Sequence, residues 1–380
     1  MLTLIENVEL YAPEPLGRTS ILLLRDRVAK IGHIVAADWR PLDVPCEYID
    51  GSALVAIPGL IDPHQHLIGG SGESGFSTQT PEVFFTELVT AGITTVVGCL
   101  GVDTATKTMP ALLAKAKGLR EQGISSYLWS GGYDVPPATL TGSIKNDILF
   151  VTEIIGAGEV ALSDTRSSQP DLSALAKLVS DVSNAGMLSR KAGVTHFHMG
   201  DGAERLMLLR HLLERYPIRP ECLYPTHVER TPELFADALE FTNTGAYIDI
   251  DAFDEDLDKH IAVVLQSGAR LDRVTASTDA AINSPRTLLE GIRGCVRSGM
   301  PLERVLPFVT CNTAAALKLS TKGKLAVGAH ADLLLLRRND LELAHVFARG
   351  VHLFDNGNLT SREAFLASSN RTIDLHGQKQ

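Results

Sequence analysis

The sequence predicts an α/β protein: a (β/α)8 TIM-like barrel carrying a small composite β-sandwich domain made from both chain ends. Three observations lead there. Short β-like runs alternate with helical stretches through residues 57–315. Both ends of the chain are strand-rich. The polar residues of the middle region gather at the ends of its runs, where barrels of this kind place their chemistry.

The N-terminal runs LTLIENVEL, TSILLLRDRVAKIG and EYIDGSALVAIPG mix short apolar stretches with turn residues and read as strands. KLAVGAHADLLLLRR and HVFARGVHLFDNG have the same texture near the other end. Residues 1–56 and 316–380 are therefore expected to share one β domain around a central insertion, with the polar residues after about 366 frayed. In the insertion the β-like runs are LIDPHQH, TTVVGCL, SSYLWSGG, EVALSD, VTHFHMG, CLYPTHV, AYIDIDA and VTASTD. Helical patterns such as AERLMLLRHLLERY and PELFADALEFTNTG lie between several of them.

Composition fits a globular protein with a large core: 380 residues, 44% hydrophobic and 21% charged. The net charge of −10 and the lack of Lys/Arg-rich runs argue against nucleic-acid or anionic-membrane partners. No apolar run approaches the ~20 residues needed to cross a bilayer, and the acidic start MLTLIENVEL does not read as a signal peptide. Five scattered cysteines without a CxxC pair fit reduced thiols, hence a cytoplasmic protein.

His64 and His66 are two apart and so share a face if the run is a strand. Such a pair could bind a metal or simply be two satisfied core histidines. His198 and His227 have the same alternatives, and Asp279 could cap a helix expected to begin near Ser284. Together with Glu159, these four histidines and two acids at run ends would be costly to bury without a cation. Imidazole and carboxylate donors suit Zn2+, with Mn2+, Fe2+ or Co2+ as alternatives. His196 is expected in a packed core role, the alternative being a partner behind a ligand.

These residues carry a resemblance. PGLIDPHQH at 58–66, the PTHV and STD run ends and GKLAVGAHADLLLL are similar to the amidohydrolase superfamily. HLIGGSGESG, TPEVFFTELVTAGITTVVGCLG, SGGYDVPPATLTGS, LSDTRSSQPD and VTHFHMGD followed by PTHVER resemble, within it, the isoaspartyl (β-aspartyl) dipeptidases. The resemblance spans nearly the whole chain. It implies a homo-oligomer and two divalent cations, one on His64, His66 and Asp279 and the other on His198 and His227, sharing a carboxylate and a hydroxide.

In that family the shared carboxylate is usually a carboxylated lysine. This chain has no lysine between Lys145 and Lys177, and the residue in register is Glu159. A glutamate is a shorter arm, so the metals or the backbone must shift, and Gly156 and Gly158 would permit a backbone shift. The resemblance further implies hydroxide attack on a β-aspartyl amide, with Tyr133 polarising the carbonyl and Asp279 acting as general base and then acid. Ser71, Gly72 and Glu73, Arg166 and Arg230, and Asn283 and Ser284 would bind the dipeptide. The family's carboxylate-binding threonine is Val102 here and one of its loop glycines is Ser71, so the expected pocket is altered. The competing expectations are another amidohydrolase, acting on cyclic amides or N-acyl sugar phosphates, or a non-catalytic binding or scaffold protein on the same fold.

Overall fold

The computed structural model describes residues 2–34, 45–253 and 256–372, so the polar tail from 373 onward lies outside the described residues. Its first five strands are β1 (Leu2–Tyr11), β2 (Pro15–Leu24), β3 (Arg27–Gly32), β4 (Cys46–Asp50) and β5 (Leu54–Pro58). The inner strands follow: β6 (Leu60–Gln65), β7 (Ile93–Gly98), β8 (Ser125–Ser130), β9 (Ile154–Leu162), β10 (Thr195–Met199), β11 (Leu223–Thr226), β12 (Ile248–Asp251) and β13 (Val274–Ser277). The chain closes with β14 (Leu333–Arg337), β15 (Leu343–Ala348), β16 (Val351–Asp355) and β17 (Asn358–Leu359).

Each of the eight β-like runs of the middle region falls on one inner strand. Strands β6 to β11 form one parallel ladder in chain order, and β12 pairs with β13 separately. The two groups are joined by single links: Tyr247 donates its N–H to Leu223 O at 3.1 Å, and Gln65 bridges to Ala280. The result is a curled parallel sheet with two seams, rather than an uninterrupted eight-strand barrel. The seams lie at β11, β12 and β13, which are only four residues long and offer few ladder positions. β6, β7, β9 and β10 are buried along their whole length, as expected of parallel strands covered on both faces.

Helices such as Leu172–Ser189 and Pro232–Phe241 cover the outside. Their starts are set by side-chain caps: Asp171 accepts from Ala174 N–H at 2.8 Å and Thr231 from Leu234 N–H at 3.1 Å. The helix following Asp279 begins only at Thr287, and the Asp279 side chain faces the histidines instead of capping it. No helix among the described residues is long and apolar enough to cross a membrane.

Both chain ends build the second sheet. By hydrogen bonding the composite domain expected from both termini is one nine-stranded mixed sheet, ordered β17-β16-β15-β14-β5-β1-β2-β3 with β4 also on β1. The N- and C-terminal segments meet where β5 runs antiparallel to β14, with Leu333 opposite Pro58, so β5 crosses the boundary expected at 56/57. Alternate residues of the sheet face opposite ways. Leu333, Leu335 and Phe347 join a core with Ile5, Val8 and Ile21, while Leu334, Leu336 and Val346 pack into the core of the curled sheet.

β9 is longer than the run EVALSD suggested. It starts at Ile154, so Glu159 lies inside the strand rather than at its start. Gly156 and Gly158, expected to permit a backbone shift, sit within it where neighbours approach too closely for a side chain. A Cβ on Gly156 would lie 2.3 Å from Val194 O and 2.7 Å from the Trp129 ring. Gly156→Ala is accordingly expected to destabilise the fold by about 1–3 kcal/mol through overpacking. A urea midpoint unchanged from wild type would contradict this.

Candidate active site

Strand geometry brings the candidate ligands together. His64 comes from β6, with His66 just beyond its end; Glu159 is on β9 and His198 on β10, and His227 and Asp279 follow the ends of β11 and β13. His227 and Asp279 both adopt positive φ, 59° and 52°, which turns each side chain away from its strand direction.

Glu159 is the centre of the cluster. Its Oε1 lies 2.5 Å from His198 Nδ1 and 3.0 Å from His227 Nε2. Its Oε2 lies 3.2 Å from His64 Nε2 and 3.7 Å from His66 Nε2. Asp279 Oδ1 completes the second group, 3.1 Å from His66 Nε2 and 3.5 Å from His64 Nε2. A bulge sets Glu159 in this place: Thr195 pairs with Ala157 and Phe197 with Val160, so Gly158 and Glu159 together face the single residue His196. Gly158 permits it, since a Cβ there would sit 2.8 Å from the His196 carbonyl oxygen.

Whether these residues fit a metal can be tested on their unsatisfied atoms. His64 Nε2, Glu159 Oε2 and Asp279 Oδ1 are buried, close together and without a hydrogen-bond partner among the described residues. Three such donors are costly to bury unless they converge on something else. His64, His66, Cys99 and Glu159 form one group of donor atoms within 4.8 Å of one another, and Glu159, His198 and His227 form another. The residues fit metal binding, with Glu159 common to both groups.

Electrostatics agree. Burial opposes charge on His64, yet Glu159 and Cys99 outweigh it and raise its pKa well above the ordinary value. Burial is likewise outweighed at His227, where Asp251 and Glu159 push the pKa to about 10. Against the same burial, His64 and His198 hold Glu159 far down, and His66 and His64 bring Asp279 to about 2. Protons on the imidazoles thus supply the positive charge that a cation would replace.

Beside the cluster, Tyr133 OH lies 2.8 Å from His198 Nδ1. Burial and the nearby Glu159 raise its pKa well above 10, so it keeps its proton. Arg166 Nη2 lies 2.8 Å from His198 Nε2, while its guanidinium donates to Asp164 at 2.7 and 2.9 Å and to Glu73 at 2.6 Å. Those hydrogen bonds from Arg166 keep Asp164 far below the usual carboxylate range. Arg230 Nη1 is 3.8 Å from the same carboxylate. Ser71, Gly72, Glu73, Val102, Arg166 and Arg230 line a cavity of about 1080 Å3. Asn283 and Ser284 are not on it. They line a separate cleft of about 330 Å3 with Phe84 and Arg286, and Asn283 donates to Thr278 O.

Several supporting residues escaped the sequence reading. Asp251 Oδ2 holds His227 Nδ1. Buried Asp62 accepts from His64 N–H at 3.1 Å, Gln65 Nε2 at 2.8 Å and Thr278 Oγ1 at 2.6 Å, tying β6 to the segment after β13 across one seam. Cys99 Sγ lies 3.8 Å from His66 Nδ1. The period-two acids of AYIDIDA were a usable signal for Asp251; nothing local marks Cys99. His196 is packed against Trp129, as expected, and also places Nε2 3.4 Å from His64 Nδ1.

Comparison with known proteins agrees with this arrangement. Residues 55–353 match the family model for the amidohydrolase family. A solved β-aspartyl dipeptidase from the thermophilic keratin degrader Fervidobacterium islandicum AW-1 is 38% identical, with a TM-score of 0.91 over 95% of this chain and 99% of that one. A complex of that enzyme with β-Asp-Leu dipeptide aligns at 36% identity and a TM-score of 0.89, with the same coverage. Adenine deaminase 2 of Rhizobium johnstonii is 25% identical over 348 residues; the match takes in 86% of this chain but only 52% of that longer protein. This chain belongs to the amidohydrolase family.

Proposed function

We propose that the protein hydrolyses β-aspartyl dipeptides at a centre of two divalent cations. The observation that carries this is the row of alternating charge Glu73, Arg166, Asp164 and Arg230, which runs from the large cavity to His198 at the edge of the ligand cluster. A β-aspartyl dipeptide presents one ammonium and two carboxylates. Glu73 matches the ammonium, and Arg166 and Arg230 match the carboxylates. The likeness to an enzyme solved with β-Asp-Leu supports the same substrate class.

In this reading His64, His66 and Asp279 would hold one cation, His198 and His227 the other, and Glu159 would serve both. Bound there, two cations, Zn2+ by donor type, supply Lewis acidity at the scissile carbonyl and lower the pKa of water toward ~7. Asp279 is ionised at neutral pH, so its carboxylate accepts the proton of the attacking water and passes it to the leaving amine. Tyr133 keeps its hydroxyl proton and donates it, as a hydrogen bond, to the oxyanion. Ser71 and Val102 shape the carboxylate end of the cavity. The reading extends to a cytoplasmic homo-oligomer with residues 1–56 and 316–380 as one domain and 57–315 as the other.

The direct test is turnover of β-Asp-Leu beside α-Asp-Leu, dihydroorotate and N-acetylglucosamine 6-phosphate. Activity on the first alone is expected, and a preference for either of the last two would overturn the assignment. Tyr133→Phe should lower kcat by ~10²–10³ with little change in zinc content, as loss of one oxyanion donor does.

Two outcomes concern the metal. Asp251→Asn removes the carboxylate charge behind His227 Nδ1 and should weaken zinc binding by ~10–100-fold in competition with a chelator. His227 is protonated at pH 7.5 because its pKa is raised, and that proton must leave before its nitrogen can bind a cation. Zinc uptake by the stripped protein should therefore release protons at pH 7.5, and fewer as the starting pH nears 10. Titration heats that do not depend on the buffer's ionisation enthalpy would count against this.

A further inference from the structure

A second group of donors lies on the nine-stranded sheet, on a hairpin separate from the curled sheet. β15 and β16 pair antiparallel, with His345 opposite Asp355 and Phe347 opposite His352. His352 and Asp355 are three apart, a spacing that would place them on opposite faces of a regular strand. The register shift between Val346 and Phe347 leaves Leu353 as an extra residue on β16, so His345, Phe347, His352 and Asp355 share one face.

On that face His345 Nδ1 lies 3.1 Å from His352 Nε2 and 3.3 Å from Asp355 Oδ1. Two donors each ~2.0–2.1 Å from a tetrahedral Zn2+ are about 3.3 Å apart, so both separations already match. The three donor atoms all lie within 4.8 Å of one another. The surroundings suit a ligand set too. His352 donates from Nδ1 to Glu47 Oε1 at 2.6 Å, which leaves the Nε2 lone pair directed toward His345 Nδ1. A carboxylate behind a histidine is the usual support of a metal ligand. Phe347 stacks on the His352 ring at 4.3 Å and fixes its plane. Burial and the adjacent His352 lower the pKa of His345, favouring the neutral imidazole that a cation needs. His345 Nε2 faces the Asn356 amide at 3.4 Å, and rotating that amide would present its oxygen to an Nε2–H.

We propose that His345 Nδ1, His352 Nε2 and Asp355 Oδ1 bind one further divalent cation of the Zn2+ class, with water as the fourth ligand. The ion clips the β15–β16 hairpin together, and through Glu47 it ties the C-terminal strands to β4 of the N-terminal segment. The chemistry it needs is structural: three protein donors, two of them imidazoles, on a surface far less enclosed than the Glu159 cluster. A cation that binds only the folded chain also raises its stability.

The experiment uses the full chain, dialysed against chelator-buffered Zn2+, with zinc per chain measured by elemental analysis and folding followed by melting temperature. Wild type should hold one equivalent more than His352→Gln or Asp355→Asn. Glu47→Gln should keep that equivalent but bind it ~10–100-fold more weakly. Asp355 is half-exposed, so its variant keeps the test open if the buried histidine variants fail to fold. Added Zn2+ should raise the melting temperature of wild type more than that of Asp355→Asn. Equal zinc content in wild type and the folded variants would overturn the proposal, as would a melting shift that Asp355→Asn shares in full.

Discussion

The structure depends on one buried carboxylate. Glu159 has four imidazoles within 3.7 Å and is almost entirely removed from solvent. An isolated carboxylate could not be buried there, and the positive charge on His64 and His227 would be unbalanced without it. The strand has to bring the group to the middle of the cluster, and glutamate is a short arm. The bulge at Gly158–Glu159 meets that need by giving β9 one residue more than β10 at this level. Gly156 and Gly158 let β8 and β10 approach the bulged strand. A feature of the site thus fixes the composition of a strand several residues away from it.

The outer residues extend the same logic. Each imidazole has two nitrogens, and a ring is oriented only when the second one also has a partner. Asp251 holds His227, Cys99 lies against His66, and His196 lies behind His64. These partners come from β12, the end of β7 and β10, so the cluster draws on strands from both sides of the seams. Asp62 bridges the seam between β6 and β13. Its oxygens accept from the β6 end and from Thr278, next to Asp279, and burial raises its pKa to about 6 despite those hydrogen bonds. The ladder is weak between β6 and β13, and side-chain hydrogen bonds there do what the backbone does elsewhere.

The sequence made some of this legible and hid the rest for physical reasons. The eight runs could be found because a parallel strand covered on both faces must be apolar, and the six candidate ligands stood at or near their ends. The start of β9 was hidden because Gly156 and Gly158 interrupt the apolar pattern and are required here by crowding across strands. The placing of Asn283 and Ser284 on a separate cleft was equally hidden, since the loop after β13 turns at Asp279 and directs the next residues away from the cavity. Periodicity identifies a residue's face within a strand. It carries no information on where an irregular loop sends its side chains. The single sheet joining both termini was expected in composition, but its continuity rests on the pairing of β5 with β14, a contact between distant segments.

The cavity and the ligand cluster are connected by Arg166. A guanidinium has five N–H donors in a rigid plane, and Arg166 divides them between Asp164, Glu73 and the edge of His198. Asp164 holds it from one side through two hydrogen bonds, so that pair keeps its geometry when another partner changes. The contact with Glu73 is different in kind: that carboxylate is half-exposed and sits on the loop beside Ser71 and Gly72, where both residues adopt positive φ. A ligand with an ammonium and a carboxylate can replace this single ion pair with two, one on Glu73 and one on Arg166. Such an exchange would conserve charge, and His198 has its own contacts with Asp164 and Glu159 apart from Glu73. Under the proposed function, substrate charge would be read at the cavity wall, above the histidines.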